Sequence, residues 1–205
     1  MVEVWDSEGV RIISVLSRKG GVGKTLLSVG IAQVLGEAGF AVALLDRDPE
    51  GSAMGWQHNA EAGGVTLPYR VIGPIQAAQL GSGVDFLVID TPPNDTRILR
   101  DTARQSNVLI VPLLPGAGEV DRVQETVAAL GEAELVEGAK LGFILNRLDN
   151  DNVSASMPGV LEELGYPVVA HVRKAVGYQR AFGNLIPRDL TPPFEQALRE
   201  LEVLA

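Results

Sequence analysis

Two rhythms of apolar residues divide the chain. Short runs rich in Val, Ile and Leu cover residues 10–16, 40–45, 69–72, 84–90, 107–112, 140–145 and 167–170. Their length and β-branched content predict buried strands. Between them apolar positions return every three or four residues: Leu27, Ile31, Val34 and Leu35, then Val120, Val123, Val127 and Leu130, and finally Phe194, Leu198 and Leu201. That spacing predicts amphipathic helices. Strand and helix patterns alternate six or seven times, which predicts an α/β fold, a mostly parallel β-sheet with helices on both faces.

Turn residues punctuate the pattern. Gly39, Gly81 and Gly165 are placed to stop helices, and Thr191 followed by Pro192 marks the start of the last one. Ser52 is placed to cap a short helix through Trp56, and residues 158–164 read as another short helix. There is no internal repeat, low-complexity tract or linker, so residues 1–205 read as a single domain with a short extension over 1–9. Residues 52–83 carry no recognisable chemistry.

The candidate chemistry begins where the first strand meets the first helix, at Ser17-Arg18-Lys19-Gly20-Gly21-Val22-Gly23-Lys24-Thr25. Strand, glycine-rich turn and helix is the context of a phosphate-binding loop. The glycines let successive N–H groups point inward as an anion nest, and the helix start adds the positive end of its dipole. Lys24 supplies a charge for the outer phosphates, and the Thr25 hydroxyl is placed to ligate Mg²⁺. Two further strands end in acids. Asp46 and Asp48 follow the second, where an extended backbone would turn both carboxylates to one side, and Asp90 closes the run at 84–90, the arrangement that holds Mg²⁺ directly or through water.

The loop has Arg18 where the general phosphate-loop pattern has glycine, and Lys19-Gly20-Gly21-Val22-Gly23-Lys24-Thr25 resembles the deviant Walker A motif of the ParA/MinD family of ATPases. Asp46-Arg47-Asp48-Pro49-Glu50-Gly51 and Asp90-Thr91-Pro92-Pro93 resemble that family's later motifs, and the likeness runs over nearly the whole chain. It implies an ATP- and Mg²⁺-dependent ATPase, closest to the short ParA type that lacks an N-terminal DNA-reading domain. By the same likeness Lys19 reaches the nucleotide of a second copy in an ATP-bound homodimer, Asp48 positions the attacking water, and Asp46 lies near the metal. Residues 19–26 would surround the phosphates. Leu26 stands where the family often has a threonine, a change expected to weaken binding without abolishing it. Asn146-Arg147-Leu148-Asp149 is one residue away from a guanine-reading motif, with Arg147 in place of lysine; the family's asparagine at this place reads adenine, which favours ATP.

Composition narrows the uses. With 46% apolar and 21% charged residues the chain is globular in balance, and the absence of cysteine excludes disulfides, thiolate metal sites and cysteine nucleophiles. Neither a signal sequence nor an apolar run long enough for a bilayer is visible, so a cytoplasmic protein is expected. The segment 195–205 carries Glu195, Glu200 and Glu202 against Arg199 alone, which argues against docking on anionic lipid and for no membrane partner. A net charge of −9 leaves DNA binding to a local cluster, for which Arg173, Lys174, Arg180 and Arg188 are the candidates. Arg173 and Lys174 follow Val172, where the family has the proline of an I-P-R stretch. The family likeness then implies a partitioning ATPase that binds non-specific DNA as a dimer, associates with the nucleoid in its ATP form, and is stimulated by a small centromere-binding, ParB-like partner. A cargo-positioning ATPase of the same family is the alternative; a P-loop kinase or ligase is another, though no acceptor site is recognisable.

Overall fold

The computed structural model describes residues 9–80, 83–116 and 118–205, so most of the expected extension over 1–9 and the helix stop at Gly81 lie outside the described residues. The seven strands are β1 (Arg11–Val15), β2 (Val42–Asp46), β3 (Arg70–Ile72), β4 (Phe86–Asp90), β5 (Val108–Leu113), β6 (Lys140–Leu148) and β7 (Val168–Arg173). They form one sheet in the order β3-β2-β4-β1-β5-β6-β7, and every pairing is parallel.

Side chains alternate across this sheet with a period of two. Ile13, Val15, Leu44, Val108 and Ile110 enter one core, under α1 (Lys24–Glu37), α2 (Ser52–Ala62), α7 (Val176–Arg180) and α8 (Pro192–Glu200). Leu16, Leu109, Val111 and Phe143 face the other side, under α4 (Thr96–Ala103), α5 (Glu119–Gly131) and α6 (Asn152–Glu163), while Ile12, Leu45 and Leu87 meet the short α3 (Pro74–Ala77). Both faces are therefore covered, which is why the strands read as continuous apolar runs. Gly30 of α1 faces the Phe194 ring directly, and any Cβ there would enter the ring, so α1 and α8 pack closely.

Three helix starts differ from expectation. α2 is capped by Gly51 in the left-handed region, with φ of 65°, and runs on from Ser52 to Ala62. α6 begins at Asn152 and contains Pro158; Asp151 caps it, its carboxylate accepting the Ser154 N–H at 2.8 Å. The Thr191 hydroxyl does not cap α8 but donates back to the Arg188 carbonyl at 3.0 Å. Beyond α8, Leu201 and Val203 are buried in the core. No helix among the described residues is long and apolar enough to cross a membrane.

Candidate functional site

β1 is flanked by β4 and β5: the chain crosses from β1 to β2 on one side and later from β4 past β1 to β5 on the other, so the strand order reverses here. The crevice beyond the carboxyl ends of the strands at such a switch point is where open α/β sheets bind ligands. Residues 16–23 turn there. Gly21 and Gly23 have φ of 72° and 92°, values that side chains resist, and they fold the loop so that α1 starts at Lys24. Lys24 is buried, and its ammonium donates to the Lys19 carbonyl at 3.1 Å. Burial lowers its pKa, opposed by the negative charges of Asp90, Asp48 and Glu50.

In parallel register Val15 and Asp46 both stand opposite Asp90, which brings the two strand-end acids together beside the loop. Asp90 is fully buried; its Oδ1 accepts from the Ser28 hydroxyl at 3.3 Å, while Oδ2 has no hydrogen-bond partner. Desolvation pushes its pKa up to about 7; the Thr25 and Ser28 hydroxyls and Lys24 pull the other way. A buried carboxylate oxygen without a partner next to the Thr25 hydroxyl suits a small hard cation, and Mg²⁺ needs few protein ligands when phosphate and water fill the remaining positions. Among the described residues no three His, Cys, Asp or Glu side chains form a metal cage.

Asp46 has a different setting. Its Oδ1 accepts the Asp48 N–H at 3.1 Å, and its Oδ2 accepts the N–H groups of Ala53 and Met54, each at 3.0 Å. Burial raises its pKa and these bonds lower it. The carboxylate thus ties β2 to the first turn of α2, where helix N–H groups lack internal partners. Asp48 in turn accepts the Glu50 N–H at 3.0 Å. Residues 46–50 are therefore two successive Asx turns rather than the extended segment expected. The turns still leave Asp48 close enough to act electrostatically on Lys24.

Asn146 lies under the loop. Its Nδ2 donates to the Val22 carbonyl at 2.7 Å, its Oδ1 accepts the N–H of Arg147 at 2.9 Å, and it is 1% exposed. Arg147 takes a left-handed φ of 57° to allow this, kinking β6 where its pairing with β7 is irregular. A Cβ on Gly23 would collide with the Asn146 amide. The segment after Asp90 supports the loop as well: Thr91 Oγ1 donates to the Val15 carbonyl at 2.9 Å, Asn94 N–H to the Arg18 carbonyl at 2.9 Å, and Pro93 lies against Gly20. Thr91 stands within the Asp90-Thr91-Pro92-Pro93 motif, yet sequence reasoning missed the role of both it and Asn94 in holding the loop. Leu26 packs against the central core.

The four candidate DNA residues, Arg173, Lys174, Arg180 and Arg188, are all exposed. Arg173 donates to Asn150 Oδ1 at 3.2 Å and Lys174 pairs with Asp149 at 3.3 Å, so both lean on the loop after β6. The hydrogen bond from Asn150 N–H, then Lys174, lowers the pKa of Asp149. Arg180 ends α7 and Arg188 opens a 3-10 turn, both exposed, on segments joined by a Tyr178 hydroxyl bond to the Leu190 carbonyl at 2.8 Å.

A glycine-cornered loop at the sheet's switch point, a buried lysine and a half-satisfied strand-end aspartate define a P-loop nucleotide-binding protein. The chain belongs to the ParA/MinD family: residues 13–187 match the model of the CobQ/CobB/MinD/ParA nucleotide binding domain. It is 32% identical over 180 residues to the maintenance of carboxysome distribution protein A of Gloeobacter kilaueensis, covering 83% of this chain and 80% of that one. To the chromosome-partitioning ATPase Soj of Thermus thermophilus it is 24% identical over 216 residues, covering 88% and 82%. In fold it matches a plasmid partition protein of Borrelia burgdorferi bound to AMPPNP, with a TM-score of 0.79, 16% identity, and 94% and 98% of the two chains covered.

Proposed function

We propose that this protein is an ATP-switched positioning ATPase. It binds ATP with Mg²⁺, forms a homodimer, binds DNA without regard to sequence, and releases it after hydrolysis stimulated by a small partner carried on the cargo. The observation that carries the reading is the convergence of buried Lys24 and the unpartnered Oδ2 of Asp90 at the loop. The loop N–H groups and Lys24 would balance charge on the transferring phosphoryl group, and Asp48 would orient water. Thr25 and Asp90 would hold the Mg²⁺, which neutralises phosphate charge when bound. Lys19 would act from the second copy, making hydrolysis conditional on dimerisation. The identity to a carboxysome distribution protein favours a protein-built body as cargo, with DNA segregation, as the name of Soj states for that relative, the second reading.

The test uses purified protein with Mg²⁺ and ATP or ADP. Sedimentation should give a dimer with ATP alone, free phosphate should appear without any added acceptor, and random duplex should shift on a gel only with ATP. The shift should weaken steeply with salt, because phosphate contacts release counterions. Dimerisation without any shift would remove DNA from the reading. ADP formation that needs a small-molecule acceptor would replace the whole of it with a kinase or ligase.

A further inference from the structure

Lys19 is held at both ends. Its carbonyl accepts Lys24 Nζ at 3.1 Å, and its own Nζ lies 2.5 Å from Glu119 Oε1. Glu119 is the first residue of α5, and it and Lys19 both line a cavity of about 370 Å³ together with Ser17, Pro112 and Thr126. Its side chain is 6% exposed and that of Lys19 30%, whereas the neighbouring Arg18–Glu125 pair, 3.2 Å apart, is 42% and 58% exposed. Water screens an exposed pair, so Arg18–Glu125 contributes little, while the nearly buried contact of Lys19 is a strong charge-assisted bond.

We propose that Glu119 is the positioning residue of Lys19: it retains the lysine in its own chain, and a second copy acquires it only as this ion pair opens. The inference rests on the reading above that Lys19 serves the second copy's phosphates. The Glu119 carboxylate, 2.5 Å away, and a phosphate of another chain compete for the single positive charge of this ammonium. Nucleotide works on the same residue from the other side. Lys24, turning to a phosphate, leaves the Lys19 carbonyl and frees the loop at the point where Glu119 holds it. Glu119 therefore sets the protein concentration at which ATP produces dimers.

Sedimentation at increasing protein concentration, with saturating ATP and bound nucleotide measured in parallel, tests this. Glu119→Gln keeps the shape and removes the charge; it should dimerise at roughly tenfold lower concentration, the scale of one charge-assisted bond. Glu119→Asp, charged but shorter, should fall between it and the wild type. In a Lys19→Gln background the Glu119→Gln change should have no effect, a coupling that a merely structural role would not produce. An unchanged or higher threshold for either Glu119 variant, with melting and ATP binding intact, overturns the hold and leaves the proposed function standing. A wild type that binds ATP yet stays monomeric overturns both.

Discussion

The carboxyl edge of the sheet carries charge at two places and treats it in opposite ways. Beside β1, β2 and β4, Lys24, Asp46 and Asp90 are buried and converge, with backbone N–H groups of α2 and hydroxyls of α1 arranged around the acids. Beside β6 and β7, Lys174 and Asp149 are 66% and 57% exposed and pair directly at 3.3 Å in a solvent-facing position. Burying charge costs far more than exposing it; Asp46 is met by three backbone N–H groups, whereas Asp90 keeps one buried oxygen without a partner. Exposed pairs need no such arrangement and specify little. A run of bases in a sequence is thus a weaker pointer to a site than an acid at the end of an apolar strand.

The contrast can be broken most sharply at Asp48. Asp48→Ala should lower ATP turnover by at least about 100-fold, the scale of losing a group that manages the attacking water, while equilibrium dialysis finds ATP still bound. Near-wild-type phosphate release would remove Asp48 from the reaction. Gly23→Ala comes next. It sets a Cβ against the Asn146 amide at a φ of 92°, and strain of about 1–3 kcal/mol should weaken ATP binding by roughly 5- to 150-fold.

Asn146→Ala should have a smaller effect. Losing the 2.7 Å bond to Val22 loosens the loop, and affinity should fall about tenfold for ATP and ADP alike. If ATP:GTP discrimination collapses instead, the asparagine reads the base. Smallest of all, Arg173→Glu with Lys174→Glu should leave nucleotide affinity within about twofold of wild type, because exposed pairs contribute below about 1 kcal/mol. The same variant should lose the ATP-dependent shift of duplex if these bases meet DNA. A normal shift would move the DNA face towards Arg180 and Arg188.

Much of this protein was legible locally. The short apolar runs located all seven strands, the helical rhythm located the main helices, and the nonapeptide from Ser17 to Thr25 located the phosphate loop. A turn of successive residues depends mainly on its own φ and ψ angles, and glycines announce those angles. Strand-end acids were legible for a similar reason, since an apolar run has an end that can be read. What each polar group holds was decided only by the tertiary structure. Asp46 reaches into the first turn of α2, Lys19 meets Glu119 across 100 residues of chain, and Asn146 meets Val22 across 124. Backbone propensity acts between neighbours in sequence, whereas a buried polar side chain takes whichever partner the packed helices and strands set beside it.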